Sequence, residues 1–219
     1  MLLKKTILES RTRLVSSCGM LLLLTLFFVW SFGGKTVSAG RLSQSLVTLA
    51  GILLPMAAVL MAGNGISPQN AFHASRGFQS VLYMISMPVR RRTLLLLRFA
   101  VSAGGFLIQC ILTFVIYLAF FKYLGHDYPV EFLPQDVLGA YFWGIGFLGL
   151  STLLSTFFDE YMHVTLSVFL VVGISLLAVH TNFFRTLELA NNWPLLASSV
   201  LVGMACLLLS MYFIERQEY

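Results

Sequence analysis

The chain has 219 residues, 58% of them hydrophobic and only 11% charged, with a mean hydropathy of +0.86 and a net charge of +5. Soluble domains carry about 25% charged residues, so this chain cannot cover a water-facing surface and lipid must be its solvent. At roughly 20 apolar residues per crossing, the length leaves no room for a sizeable second domain, and residues 1–219 read as a single membrane domain.

At the N-terminus, Leu3, Ile7 and Leu14 recur at helical spacing among Lys4, Lys5, Glu9, Arg11 and Arg13. That pattern predicts an amphipathic helix lying on the membrane surface, with Lys4, Lys5, Arg11 and Arg13 anchored at anionic headgroups. The apolar run that follows, 14–32, ends near Val37-Ser38-Ala39, which resembles a signal-peptide cleavage site. The run is too long for a signal core and long enough to span, so it is read as a retained helix. Further runs of membrane length follow at 42–63, 99–121, 137–158, 164–179 and 194–214. The fifth extends to about 161–180 to reach full crossing length. All six are expected to be helices, because a lipid-exposed backbone must satisfy its own hydrogen bonds. Pro194 suits the first turn of the last helix, where a missing N–H costs nothing. Cys18, Cys110 and Cys206 stand alone in apolar stretches with no C-x-x-C pair, and read as small hydrophobes.

The segment between the second and third runs is the most informative. Residues 77–87 are apolar enough to pack but too short to cross, and Phe78, Leu82 and Ile85 fall on one helical face. Pro88 ends that helix, and Arg90-Arg91-Arg92 is placed to anchor the chain at headgroups. A short helix held at the membrane surface with an apolar face predicts an interaction site.

Orientation follows from Lys and Arg. With the N-terminus inside, ten of them (Lys4, Lys5, Arg11, Arg13, Arg76, Arg90, Arg91, Arg92, Arg98 and Arg216) are cytoplasmic, against four outside (Lys35, Arg41, Lys122 and Arg185). This excess places both termini in the cytoplasm of a multi-pass inner-membrane protein. Trp30, Tyr128 and Trp193 then lie near the outer interface, as in an aromatic belt. The basic residues flank apolar runs and form no patch for nucleic acid, so no nucleic-acid partner is expected.

These features resemble the permease subunits of ABC transporters of the type-2 exporter class. Such subunits have an N-terminal interfacial helix, six spans, and a second-to-third-span loop with a Gly, a short coupling helix, a Pro-Val pair and a basic cluster. The matching residues are Arg76-Gly77-Phe78, the stretch Val81-Leu82-Tyr83-Met84-Ile85-Ser86-Met87, Pro88-Val89-Arg90-Arg91-Arg92, and residues 94–97. Family members commonly carry acidic residues before the Gly, where this chain has Phe72-His73-Ala74-Ser75-Arg76. The resemblance implies that Gly77, Phe78, Gln79, Leu82, Tyr83, Ile85, Met87 and Pro88 contact an ATPase subunit. It also implies a homo- or heterodimer of permeases served by two copies of an ABC ATP-binding subunit. ATP and magnesium would bind in those partners, with no cofactor held by this chain.

Other chemistry is poorly supported by the residues. None of the runs 14–32, 42–63, 99–121, 137–158, 164–179 and 194–214 carries an Asp, Glu, Lys, Arg or His. Proton- and ion-coupled carriers generally need such groups, so energy is expected from another subunit. Gly33-Gly34-Lys35-Thr36 lacks the first Gly of a phosphate loop, since that position is Val29. Glu160 and His163 have metal-ligand spacing but lack companion carboxylates, and read as a solvated turn. Ser151 and His180 fall at opposite depths, too far apart for proton transfer, so no catalytic or metal residue is assigned. Gly139, Gly146 and Gly149 form a stripe suited to close helix packing, with a role in opening a cargo path as the sharper reading. The predicted pathway lacks charge, so the exported cargo is expected to be hydrophobic or amphipathic. The leading alternative is a substrate-binding membrane subunit of a vitamin importer, disfavoured because residues 14–32 contain no Ala for an Ala-x-x-x-Ala docking patch. A membrane-embedded enzyme comes third, for want of paired catalytic groups on one membrane face.

Overall fold

The structure is a computed structural model and describes residues 49–62, 90–123, 133–158, 160–180 and 193–216, with 7, 11, 14–15, 17–19 and 21–23 of the N-terminal run. Every regular element among them is helical. A π-helical turn, Leu49–Leu53, leads into α1, Leu54–Ala62; α2 is Arg91–Tyr123, α3 Leu133–Phe157, α4 Glu160–His180 and α5 Trp193–Arg216. Three stretches are long and apolar enough to cross a membrane: Arg91–Ala119 of α2, Val137–Phe157 of α3, and α5. The apolar stretches Gly51–Ala62 and Met162–Ile174 are shorter.

The helices overrun the predicted apolar runs where the flanking residues favour helix. The spacing predicts a third span from residue 99, yet α2 starts at Arg91, and its 33 residues extend about 50 Å. A hydrocarbon core is about 30 Å thick, so α2 is longer than an untilted crossing requires, and its first two turns run from Arg91 to Arg98. They are helical because Thr93 and Leu94 donate to the Arg90 carbonyl at 2.9 and 3.3 Å. They are ordered because Leu94 and Leu95 bury against Leu207 and Ile214 of α5. At the start of α5, Pro194 occupies the first turn as expected.

α3 is the central helix: 61% of its apolar window is buried, against 39% for α2 and 28% for α5. One core joins Leu21, Leu54, Met61, Phe106, Phe114, Ile145 and Leu148, from the N-terminal run and α1 to α3. A second joins Val59, Trp143, Phe147, Val171 and Leu196, tying α1 and α3 to α4 and α5. Small residues let the α3 and α5 backbones touch. A Cβ on Gly149 would fall within the backbone of Gly203, and one on Gly203 would meet the Ile145 carbonyl oxygen at 2.7 Å. One turn away, Gly146 leaves room for Ser199, whose hydroxyl donates to the Trp143 carbonyl at 3.1 Å. Helix association in lipid depends on such close packing, so Gly146 and Gly149 of the predicted stripe serve as packing residues.

Candidate functional site

The residues expected to contact an ATPase, from Gly77 to Pro88, lie outside the described residues, as do Lys4, Lys5 and Arg13. What is described is the helix that follows them. Arg90, exposed, supplies the first carbonyl of α2. Arg91 donates to the Ile214 carbonyl at 3.5 Å, and Arg92 is ion-paired with Glu215. Arg216 lies over the Tyr212 ring, 4.4 Å from its centroid. Guanidinium groups are favourable at a helix C-terminus, where carbonyls lack intrahelical donors. The start of α2 is thereby held to the end of α5, with Leu94, Leu95, Leu207 and Ile214 buried just beneath. The ion pair is about half exposed, so most of the hold comes from that apolar contact rather than from charge. Arg11, the remaining described anchoring candidate, is exposed.

Inside the bundle, α1 carries a break that the hydropathy pattern did not show. Pro55 has no N–H, so the Gly51 carbonyl loses its ordinary α-helical donor. The backbone widens into the π turn just before it, and the Trp143 indole Nε1 donates to the Gly51 carbonyl at 3.3 Å. A carbonyl deprived of its ordinary helical partner in lipid is satisfied by a neighbouring helix or by a local π adjustment, and both devices are present here. A proline within the run 42–63 was the signal available in the sequence.

Two buried polar groups line the helix contacts. In the first, the Gln109 amide donates to the Ser17 hydroxyl and, at 3.7 Å, to the Cys18 thiol. The Ser17 hydroxyl lies 3.2 Å from the Leu14 carbonyl and 3.5 Å from the Met61 sulfur, and Ser102 donates to the Met61 carbonyl at 2.8 Å. Gln109 is the one amide in the run 99–121, and sequence reasoning passed over it because a lone Gln scarcely alters hydropathy.

The second group lies between α3 and α4. Ser167 donates to Ser151 at 3.2 Å. Thr152, Ser155 and Thr156 return their hydroxyls to carbonyls one turn back, at 2.7 Å each. His163 is fully buried, which corrects the expectation of a solvated turn at that residue. It lies one turn from Ser167 on α4, as Ser155 does from Ser151 on α3, so the antiparallel register sets 155 opposite 163. Ser151 and His180 are not brought together, because His180 ends α4 about 20 Å along the axis from Ser167. No cluster of three or more His, Cys, Asp or Glu that could hold a metal is found among the described residues.

Comparison of the chain with protein-family models, with curated proteins and with solved structures finds no match.

Proposed function

We propose that this chain is the membrane-spanning permease subunit of an ATP-driven ABC exporter, with six spans and a cytoplasmic coupling helix at residues 77–87. It dimerises with a second permease and is served by two copies of an ATP-binding subunit. Its cargo is hydrophobic or amphipathic, a drug, peptide or lipid-like molecule, since the six apolar runs lack Asp, Glu, Lys, Arg and His. One observation carries the reading furthest: α2 begins at Arg91, three residues beyond the Pro88 that ends the coupling motif, and continues unbroken to Tyr123. A push on the motif would travel along a continuous helix into the apolar layer. Through the Arg92–Glu215 pair and the Leu94–Ile214 contact it would also move α5.

The test is recovery of the ATP-binding subunit with the permease from membranes expressing both. Leu82→Asp puts a carboxylate on the apolar face of the motif, and an unpaired charge in a protein interface costs several kcal/mol. At about 1.4 kcal/mol per tenfold change in affinity, the partner should be lost from the pull-down. Membrane insertion should be unchanged, because position 82 lies outside the apolar runs. Arg90→Ala, at an exposed position, should leave recovery intact. Normal recovery and transport with Leu82→Asp would remove the motif from the coupling surface.

A further inference from the structure

The Gln109 amide is 1% exposed, yet among the described residues only one of its ends is engaged. Its nitrogen reaches Ser17 and Cys18, while no group among the described residues donates to Oε1. The Ser17 hydroxyl donates to the Leu14 carbonyl and so accepts from the amide nitrogen, which leaves Oε1 as the unmatched end. Gln109 stands 11 residues beyond Arg98, about 16 Å along α2 and within the apolar run. A buried polar atom without a partner is a rarity that calls for a specific explanation, and a bound molecule supplies one.

The surroundings suit an occupant. Gly105 lies one turn before Gln109 on the same face of α2, and the notch left by its missing Cβ is filled by the Met61 methyl and Leu14. Met61 is an unbranched thioether that adopts other rotamers at little cost, and its retreat would open space beside the amide. Cys18, beside the amide nitrogen, is only half-buried, so the rim of the cluster reaches the surface of the described chain.

We propose that Gln109, with Ser17 and Cys18, forms an intramembrane binding site for a hydrogen-bond donor from outside the chain, an O–H supplied by water or by an amphiphile. The site rests on this geometry and not on the exporter reading, and the two can fail separately.

The sign of a stability change tests it. In the Ser17→Ala background the hydroxyl partner is gone, and Gln109→Met then removes the amide at nearly constant volume. An empty site predicts that Ser17→Ala/Gln109→Met melts higher than Ser17→Ala, because a buried polar defect has been erased. A bound water predicts a fall of about 2–4 °C for a chain of this size. The source is separated by adding 1-dodecanol, or dodecyl methyl ether that lacks the donor, to protein in lipid nanodiscs. An amphiphile site gives a higher melting temperature with the alcohol than with the ether in Ser17→Ala, and no difference once Met replaces Gln109. In wild-type protein the alcohol alone should then also slow N-ethylmaleimide labelling of Cys18, read by mass spectrometry. A rise in melting temperature on Gln109→Met, with alcohol and ether indistinguishable throughout, would overturn the proposal.

Discussion

Replacing Gly203 by Ala adds a single methyl group at the closest approach of α3 and α5. That methyl would meet the Ile145 carbonyl oxygen at 2.7 Å and the Gly146 Cα at 3.2 Å. Ordinary contact begins near 3.4 Å, so the helices must part by roughly 0.7 Å, and a gap of that size forfeits a quarter to a half of each contact's dispersion energy. The neighbours are backbone atoms and cannot swing aside as a side chain would. Overpacking of this kind costs about 1–3 kcal/mol, set against a helix-propensity gain of about 0.5–1 kcal/mol for Gly to Ala. Gly173→Ala supplies the control, since no atom of the described residues lies within 4 Å of its Cβ position. Reversible unfolding in mixed micelles should therefore show Gly173→Ala neutral or stabilised and Gly203→Ala destabilised. Gly149→Ala should resemble Gly203→Ala, and the double variant should cost less than the sum, because the first methyl already separates the helices. Equal stability of Gly203→Ala and Gly173→Ala would refute the tight crossing.

Three further outcomes are expected. Trp143→Phe should cost about 0.6–1.7 kcal/mol, the range for hydrogen bonds between membrane helices, and less in a Pro55→Ala background, where residue 55 regains an N–H for the Gly51 carbonyl; equal costs in both would sever that link. Arg92→Glu and Glu215→Arg should each destabilise by no more than about 1 kcal/mol, with the charge-swapped double variant recovering in low salt; no recovery would mean the pair does not hold α2 to α5. In a background lacking Cys18, Cys110 and Cys206, Asp127→Cys should label from the outer face and Gln79→Cys should not, and the reverse would invert the topology.

Much of the candidate site rests on the stretch from Gly77 to Pro88, legible as a motif because an apolar face, a helix-stopping proline and an arginine cluster follow one another. The helical arm behind it was not legible. Hydropathy starts the third run at residue 99 and leaves Arg90-Arg91-Arg92 as headgroup anchors, but the side chains at 91 and 92 also reach the end of α5. Sequence spacing cannot show a contact 123 residues away. His163 was misread for a related reason: with Glu160 and no companion carboxylates it read as a solvated turn, and only tertiary packing buries it.

Helical class and the positions of the apolar runs were set by composition along the chain, because lipid offers the backbone no hydrogen bonds and leaves helices as the economical solution. Which face of each helix turns inward was not set that way. In water, burial sorts apolar from polar residues and leaves a periodic trace; in lipid, Leu208 on the outside and Leu207 on the inside meet equally apolar surroundings. Inward faces follow instead from shape and from hydrogen bonds between helices. Gly149 meets Gly203, Trp143 meets Gly51 and Gln109 meets Ser17, each pairing residues far apart in the chain and fixed only when the helices pack.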